Sequence, residues 1–426
     1  MADSSRVKRK PYVLHLNIAD SGGGVGRAAY RLHRGLIQAG LDSMMFVDNK
    51  RTDDPSVFGP ESLFDKLYLR IRSRFDKLPG LLSKRDHWAY ASFNYLPHPR
   101  LSQVWKYFEP SVIHLHWIGD GFVPLSKLCK LPAPLVATLH GRWLFNGAQH
   151  LHNDRSPRFV EGFYPDNRDP EDGGVDVDRW VWNRKHKAFK DLQMNIVTLS
   201  RWMERDARKS LLLGNYPVKR IPNGIDLETF LPHDRETVRR ELGLPIESKI
   251  IVFGANFAIQ DSNKGFNDFV EAIRLLEEKE KSFEIVVFGS DRPEGGLPFK
   301  SKTHFKGFVR DENELSKIYA AADVFVLPSK QDNLPNTVME SLASGTPCVA
   351  YDVGGVSDMV EHDKTGYLAL PGNSQSLCSM LERILEMPSE GIQMMSENAR
   401  LKIENEFSIA KQVEQMIELY AQVARY

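Results

Sequence analysis

Short apolar runs alternate with amphipathic stretches along the whole chain, and this alternation limits the available folds more than any other feature. In the first half the runs are YVLHLN (12–17), SMMFVD (43–48), VIHLHW (112–117), PLVATLH (134–140) and NIVTLS (195–200). In the second half they are KIIVFGA (249–255), FEIVVFG (283–289), THFKGF (303–308), VFVLP (324–328) and TPCVAY (346–351). Between them lie helical patterns such as FNDFVEAIRLLEEKEK. Strands this short and apolar are buried on both faces, which requires parallel sheets with helical crossovers. A chain of 426 residues exceeds what one core supports. The expectation is therefore α/β: two Rossmann-like, doubly wound parallel-sheet domains, 1–225 and 226–407. Their junction falls in IPNGIDLETFLPHD (221–234), where Pro, Asn, Gly and Asp cluster. The last helical stretch is broken near Phe407-Ser408, and its tail, about 408–426, is expected to pack back on the first domain.

Charge and cysteine content narrow the functional classes. Lys plus Arg and Asp plus Glu are equal at 56 each, so no global charge draws the chain to nucleic acid. Cys129, Cys348 and Cys378 lack metal spacing and read as buried small side chains in a reducing compartment. The start MADSSRVKRK is not followed by a signal-peptide segment, and no run is long enough to span a bilayer. A cytoplasmic location is expected. The segment 61–88 sets Lys66, Arg70, Arg72, Arg74, Lys77, Lys84 and Arg85 among Leu, Tyr, Ile and Phe. Two readings stand: a basic amphipathic helix resting on an anionic membrane, or a surface helix whose apolar stripe faces the core. The stretch from His150 to Lys190, with Gly173-Gly174, reads as a long irregular segment of the kind that is either functional or disordered.

Chemistry concentrates in SKQDNLPNTVMESLASGTPCVAYDVGG (329–355), where Asp332 and Glu340 stand on either side of a helix start. Eight residues of helical rise would part them by roughly 12 Å, about the span of a diphosphate between two sugar rings. Asn333, Leu334, Asn336 and Thr337 offer backbone N–H groups at a helix N-terminus, where an anion is favoured. Pro335 removes one donor from that series. The pattern indicates a nucleotide-sugar site. After the first strand, SGGGVGRAAYRLHRG carries Gly23 and Gly24 into a helix with Arg27 in its first turn. Its spacing does not fit the dinucleotide fingerprint, and a structural turn is the plain alternative. Lys264-Gly265 opens the helix after the first strand of the second domain, where an ammonium can meet a phosphate at the carboxyl edge of the sheet. His140 ends a strand beside Gly141. His114 and His116 share one strand face, a conceivable metal pair for which no third ligand is evident. His116, Trp117 and Asp120 are expected to line the same cleft as His140.

Taken together, GGGVGRAA, TLHGRW, TLSRWMERDARKS, IPNGIDLETF, Lys264-Gly265, GFVRDENELSKIYAAADVFVLPS and DNLPNTVMESLASGTPCVA make the chain resemble the retaining glycosyltransferases of family 4. That resemblance covers nearly the whole length and implies the GT-B fold, with two Rossmann-like domains facing across a cleft. HLHW and NRKHKAF are similar to bacterial exopolysaccharide and colanic-acid-type transferases. The resemblance implies a hexosyltransferase that moves a sugar from a UDP- or GDP-type donor to a hydroxyl of a glycan or lipid-linked acceptor. It makes His140 and Asp332 catalytic, both at the donor sugar, and gives Glu340 the ribose hydroxyls. Lys264 takes the diphosphate, Gly23 and Gly24 admit it, and backbone around Phe308 and Val309 meets the base. Asn333, Leu334, Asn336 and Thr337 complete the donor side, while His116, Trp117 and Asp120 fall on the acceptor side. Retention implies front-face attack, so no nucleophile is assigned. With no Asp-x-Asp signature at a suitable strand end, metal-independent transfer without a cofactor is expected.

The chain departs from the family pattern in having Asp rather than Glu at 332 and in lacking an Arg shortly before Lys264. Arg27, Arg142 and Arg292 are candidate second cations. Competing readings are a GT-B nucleotide-sugar epimerase and a non-catalytic partner subunit that binds glycan or another transferase. The carboxylate pair disfavours the first, and the intact Lys264, Glu340 and His140 disfavour the second.

Overall fold

A computed structural model describes residues 9–60, 62–84, 91–150, 157–170, 172–255 and 257–424. These form two compact units. One holds the described residues up to Ile221 together with those from Gln412 onward, and the other is Pro222–Lys411. Arg85, Asn256 and part of the stretch after His150 lie outside the described residues.

The first unit contains β1 (Val13–Ala19), β2 (Ser43–Asn49), β3 (Val57–Phe58), β4 (Val112–Leu115), β5 (Leu135–Leu139), β6 (Met194–Thr198) and β7 (Val218–Arg220). They form one sheet in the order β3-β2-β1-β4-β5-β6-β7. The second unit contains β8 (Ile250–Gly254), β9 (Glu284–Phe288), β10 (Thr303–Phe305), β11 (Val324–Leu327), β12 (Cys348–Tyr351) and β13 (Gly366–Ala369), in the order β10-β9-β8-β11-β12-β13. Every pairing in both sheets is parallel. Both are the doubly wound sheets the sequence predicts, with strand order reversing at β1/β4 in the first and at β8/β11 in the second. Such reversals open a crevice at the carboxyl ends of the strands, where α/β sheets bind ligands.

Each unit has its own core. Leu14, Leu16, Ile113, Leu115, Leu135 and Ile196 anchor the first, and Ile251, Phe253, Ile285, Val324, Val326 and Val349 the second. The final helix Ile409–Val423 joins the first unit, where its Tyr420 hydroxyl lies 2.6 Å from His114 Nδ1. Cys348 and Cys378 are buried as expected, but Cys129 is exposed. It sits on a surface 3₁₀ turn, Leu125–Lys130, whose buried positions are Leu125 and Leu128.

Two segments differ from the sequence reading. The stretch read as irregular from His150 to Lys190 contains the helix Val177–Phe189, capped by Asp176 accepting from the Arg179 N–H. Val181, Trp182 and Phe189 bury one side of it. In the segment 61–88, the helix Leu63–Asp76 does not turn its apolar stripe to the core, because Leu63, Phe64, Leu67 and Ile71 are exposed. Among the described residues no helix is long and apolar enough to cross a membrane.

Candidate functional site

At the β8/β11 reversal of the second unit, two loops are tied edge to edge. The loop after β8 ends in a short 3₁₀ turn, Ser262–Lys264, and Gly265 follows at φ +71°. A side chain at Gly265 would stand 1.9 Å from the Pro328 carbonyl, so only glycine lets this loop abut the end of β11. Asn263 donates from Nδ2 to the Gln331 carbonyl at 2.9 Å, and the Lys330 N–H returns a bond to the Asn263 carbonyl at 2.9 Å. The clamp brings Lys264 Nζ to 3.0 Å from Asp332 Oδ2, both side chains partly buried. Burial works against the Lys264 charge, but the Asp332 carboxylate beside it outweighs burial and holds the ammonium above its ordinary pKa.

The helix after β11 runs Asn336–Ala343 with Pro335 as its N-cap. Asp332 therefore lies in the loop before it, and only the step from Asn336 to Glu340 is helical, about 6 Å of rise. The expected eight residues of helical separation do not exist, since proline suits the boundary and the residues before it extend. Asn333 and Leu334 are buried in that loop, while Asn336 and Thr337 are half-buried in the first turn. Glu340 is fully buried, and the Tyr319 hydroxyl donates to its Oε2 at 3.3 Å. Behind Asp332, Gly354 at φ +57° packs so closely that a Cβ would lie 1.8 Å from the Asp332 carbonyl oxygen. The Gly355 N–H donates to that same oxygen at 3.1 Å. Asn263 and Gly354 thus position Asp332, which spacing along the chain could not reveal.

In the loop after β10 of the same unit, the Phe308 ring is exposed and Val309 is half-buried. Phe257, absent from the sequence-based site, meets Phe308 edge to face at 5.4 Å and is also exposed. Its positive φ of 57° is rare for a bulky residue and is fixed by its N–H donating to the Gly289 carbonyl at 2.9 Å. Two neighbouring exposed rings form a surface on which a planar base can stack.

In the first unit, Gly23 is the extended N-cap of the helix Gly24–Gln38, with open space where a side chain would stand. Asp20 fastens this loop, accepting from the N–H groups of Arg51 and Thr52 at 2.9 Å each. Asn17 Oδ1 accepts from the Trp117 N–H at 2.9 Å and ties the ends of β1 and β4 together. His140 follows β5, with its Nε2 3.2 Å from His116 Nδ1. Burial holds His140 at about 4, so it is neutral near pH 7. Trp117 donates from Nε1 to Asp120 Oδ2 at 3.0 Å, and Asp120 also pairs with Lys77 at 3.3 Å.

A third imidazole joins His114 and His116. His15 stands opposite His114 in the β1/β4 register, and the three offer ligand atoms within 4.8 Å of one another. The sequence missed His15 because only strand register brings it there. His15 Nδ1 lies 2.9 Å from His116 Nε2, and His114 is engaged by Thr138 Oγ1 at 2.7 Å as well as by Tyr420. His15 and His116 form a hydrogen-bonded chain leading to His140, and the His114 ring packs against His116 beside it. Of the candidate cations, Arg142 is committed elsewhere: it is buried, bonds Asp206 from Nε at 3.0 Å and stacks on Trp202. Arg292 is exposed in the loop after β9. A depression of about 1270 Å³ in the first unit is lined by Pro134, Asn195 and Pro217. It lies at the amino edge of the sheet, away from these residues.

Residues 22–229 match the family model described as Glycosyltransferase Family 4, and residues 248–387 match Glycosyl transferases group 1. The chain is 27% identical over 219 residues to the UDP-Gal:alpha-D-GlcNAc-diphosphoundecaprenol alpha-1,3-galactosyltransferase of Escherichia coli, covering 50% of this chain and 56% of that protein. It is 24% identical over 239 residues to the N-acetyl-alpha-D-glucosaminyl L-malate synthase of Bacillus anthracis, covering 55% of this chain and 61% of that one. The chain thus spans less than two thirds of the length of these curated relatives. Among solved structures, sucrose-phosphate synthase from Thermosynechococcus elongatus superposes with a TM-score of 0.65 at 19% identity, covering 97% of this chain and 99% of that one. Two Rossmann-like sheets of seven and six strands give this chain the GT-B fold, and each sheet falls largely within a region matched by its own glycosyltransferase domain model.

Proposed function

We propose that the protein is a retaining transferase that moves a sugar from a UDP- or GDP-type donor to a hydroxyl of a glycan or lipid-linked saccharide, in the building of a bacterial surface polysaccharide. One observation carries this reading: Lys264, Asp332 and the start of the helix Asn336–Ala343 meet at the β8/β11 reversal. A cation, a sugar-hydroxyl acceptor and a helix N-terminus at one sheet crevice suit a sugar diphosphate. Lys264 turns from Asp332 to the diphosphate and offsets the charge that grows on the leaving phosphate. Asp332 then accepts from donor-sugar hydroxyls, Glu340 from the ribose, and the Phe257 and Phe308 rings flank the base near Val309. Gly23, Gly24 and neutral His140 serve the donor from the first unit, and His116, Trp117 and Asp120 the acceptor.

In the step itself, the bond from the anomeric carbon to the phosphate oxygen breaks and the acceptor oxygen bonds that carbon on the same face. The acceptor proton passes to the departing phosphate. We propose that no metal takes part, since the Asp-x-Asp pair at 176 and 178 is committed to structure. Asp176 holds Arg158, and Asp178 accepts from the Ala148 N–H at 2.7 Å. The relative from Escherichia coli is named for a UDP-sugar and a diphosphoundecaprenol acceptor, which supports both substrate classes. We place the protein in the cytoplasm, peripheral to the inner face of the membrane.

The test is incubation with UDP- and GDP-sugars and lipid-linked acceptors, with product followed by mass spectrometry. Sugar transfer that survives EDTA and falls at least about a hundredfold in Glu340→Gln supports the proposal. Epimerised free donor, or donor binding without turnover, overturns it in favour of an epimerase or a non-catalytic subunit.

A further inference from the structure

The helix Leu63–Asp76 meets its domain with polar groups and shows its apolar side to solvent. Leu69, Arg72 and Asp76 are its buried residues. Arg72 donates from Nε to the Pro97 carbonyl at 2.9 Å and from Nη2 to the Leu96 carbonyl at 2.7 Å. Asp76 accepts from the backbone N–H groups of Phe93, Asn94 and Tyr95 at 3.1, 2.9 and 3.2 Å. These bonds fix which face points inward. The outward face presents Leu63 and Phe64, 84% and 77% exposed, with Leu67, Tyr68, Ile71 and Phe75 between 42% and 54%. At 100° per residue they span an arc of about 140°. The 3₁₀ turn Leu78–Leu82 continues the surface, with Leu81 and Leu82 at 79% and 60%.

Charge along this helix is equally one-sided. Lys66, Arg70 and Arg74 are exposed on one flank of the apolar arc. The acidic residues are withdrawn, Asp65 into a pair with Arg100 and Asp76 into the domain. A surface helix of a soluble domain normally turns its apolar stripe inward, so a contiguous exposed patch marks a docking surface. Flanking cations select an occupant that is apolar within and anionic at its surface. A bilayer with acidic headgroups is such an occupant: the rings and leucines enter the acyl boundary while the cations reach lipid phosphates.

We propose that the helix Leu63–Asp76 and the turn after it dock this protein on an anionic bilayer. The inference deepens the membrane-side placement proposed above and rests on it, but vesicle binding needs no turnover. The full chain is mixed with phosphatidylcholine vesicles with and without about 30 mol% phosphatidylglycerol, and flotation is measured. Wild type is expected to float with the anionic vesicles only, less so at high salt. Phe64→Ser/Leu67→Ser/Ile71→Ser and, separately, Arg70→Glu/Arg74→Glu should each weaken flotation about tenfold or more, with an unchanged melting temperature because the sites are exposed. Absent flotation of wild type, equal flotation with neutral vesicles, or an unaffected triple serine variant overturns the proposal. So does light scattering that shows a dimer abolished by the serine variant in a protein that binds no vesicles, which would make the patch a self-interface. A protein that floats but transfers no sugar to a detergent-dispersed acceptor keeps the docking surface and loses the transferase reading. One that transfers sugar but never floats does the reverse.

Discussion

At Lys264 a partly buried ammonium is kept charged by Asp332, and the same carboxylate is the group proposed to receive the donor sugar. Desolvating a cation is costly unless a partner offsets it, so the pair is a resting arrangement that a diphosphate can replace. The position of Asp332 depends in turn on Gly354. Gly354→Ala is expected to lower stability by about 1–3 kcal/mol and to weaken nucleoside diphosphate binding about tenfold, because φ +57° and a carbonyl at 1.8 Å leave no place for a Cβ. Thermal unfolding and calorimetric titration check this, and unchanged affinity contradicts it. Asp332 and His140 could be singled out because each lies shortly after an apolar strand, and Lys264 because it stands beside Gly265 at the start of a helical pattern. Asn263, Phe257 and Gly354 could not, since their work is done against residues far along the chain.

Among the elements, strands buried on both faces read correctly from their apolar runs. β3, β7 and β13 did not, being two to four residues long at or near the edges of their sheets, where packing asks less of the sequence. The helix Val177–Phe189 was hidden for another reason. Its Asp, Arg, Lys and His content resembles a loop, yet Lys185 is fully buried and donates from Nζ to the carbonyls of Asn146 at 3.0 Å, Gly147 at 2.8 Å and Trp143. Lys185→Met should therefore cost about 3 kcal/mol in urea unfolding, by leaving three buried carbonyls without a donor. A loss below about 0.5 kcal/mol would show that the carbonyls find other partners. For the helix Leu63–Asp76 the periodicity was legible and its facing was not, because Arg72 and Asp76 fasten to backbone groups of residues 93–97.

For the whole molecule, the histidines of the first unit link folding to pH. Burial holds His33 and His140 at about 4 and His150 at about 3, while burial and neighbouring imidazoles lower His15 and His116. In the unfolded chain these groups titrate near 6.5, so between about pH 6.5 and 4 the unfolded state binds more protons. Stability is full above pH 6.5 and falls with pH through that window, with His33 alone contributing a loss of about 2 kcal/mol by pH 5. Urea midpoints at pH 7 and pH 5 measure it, and equal midpoints would contradict the burial of these rings. The two doubly wound sheets were legible because strand periodicity is local. The histidine chain was not, because only the β1/β4 register joins His15 to His116. The central claim is that a sugar-nucleotide diphosphate binds where Lys264 meets Asp332, and titration calorimetry with UDP and GDP tests it most directly. The account predicts that one of them binds and that Lys264→Ala, with an unchanged melting temperature, weakens binding about tenfold to a hundredfold. Binding of neither nucleotide, or equal affinity in the variant, would contradict it.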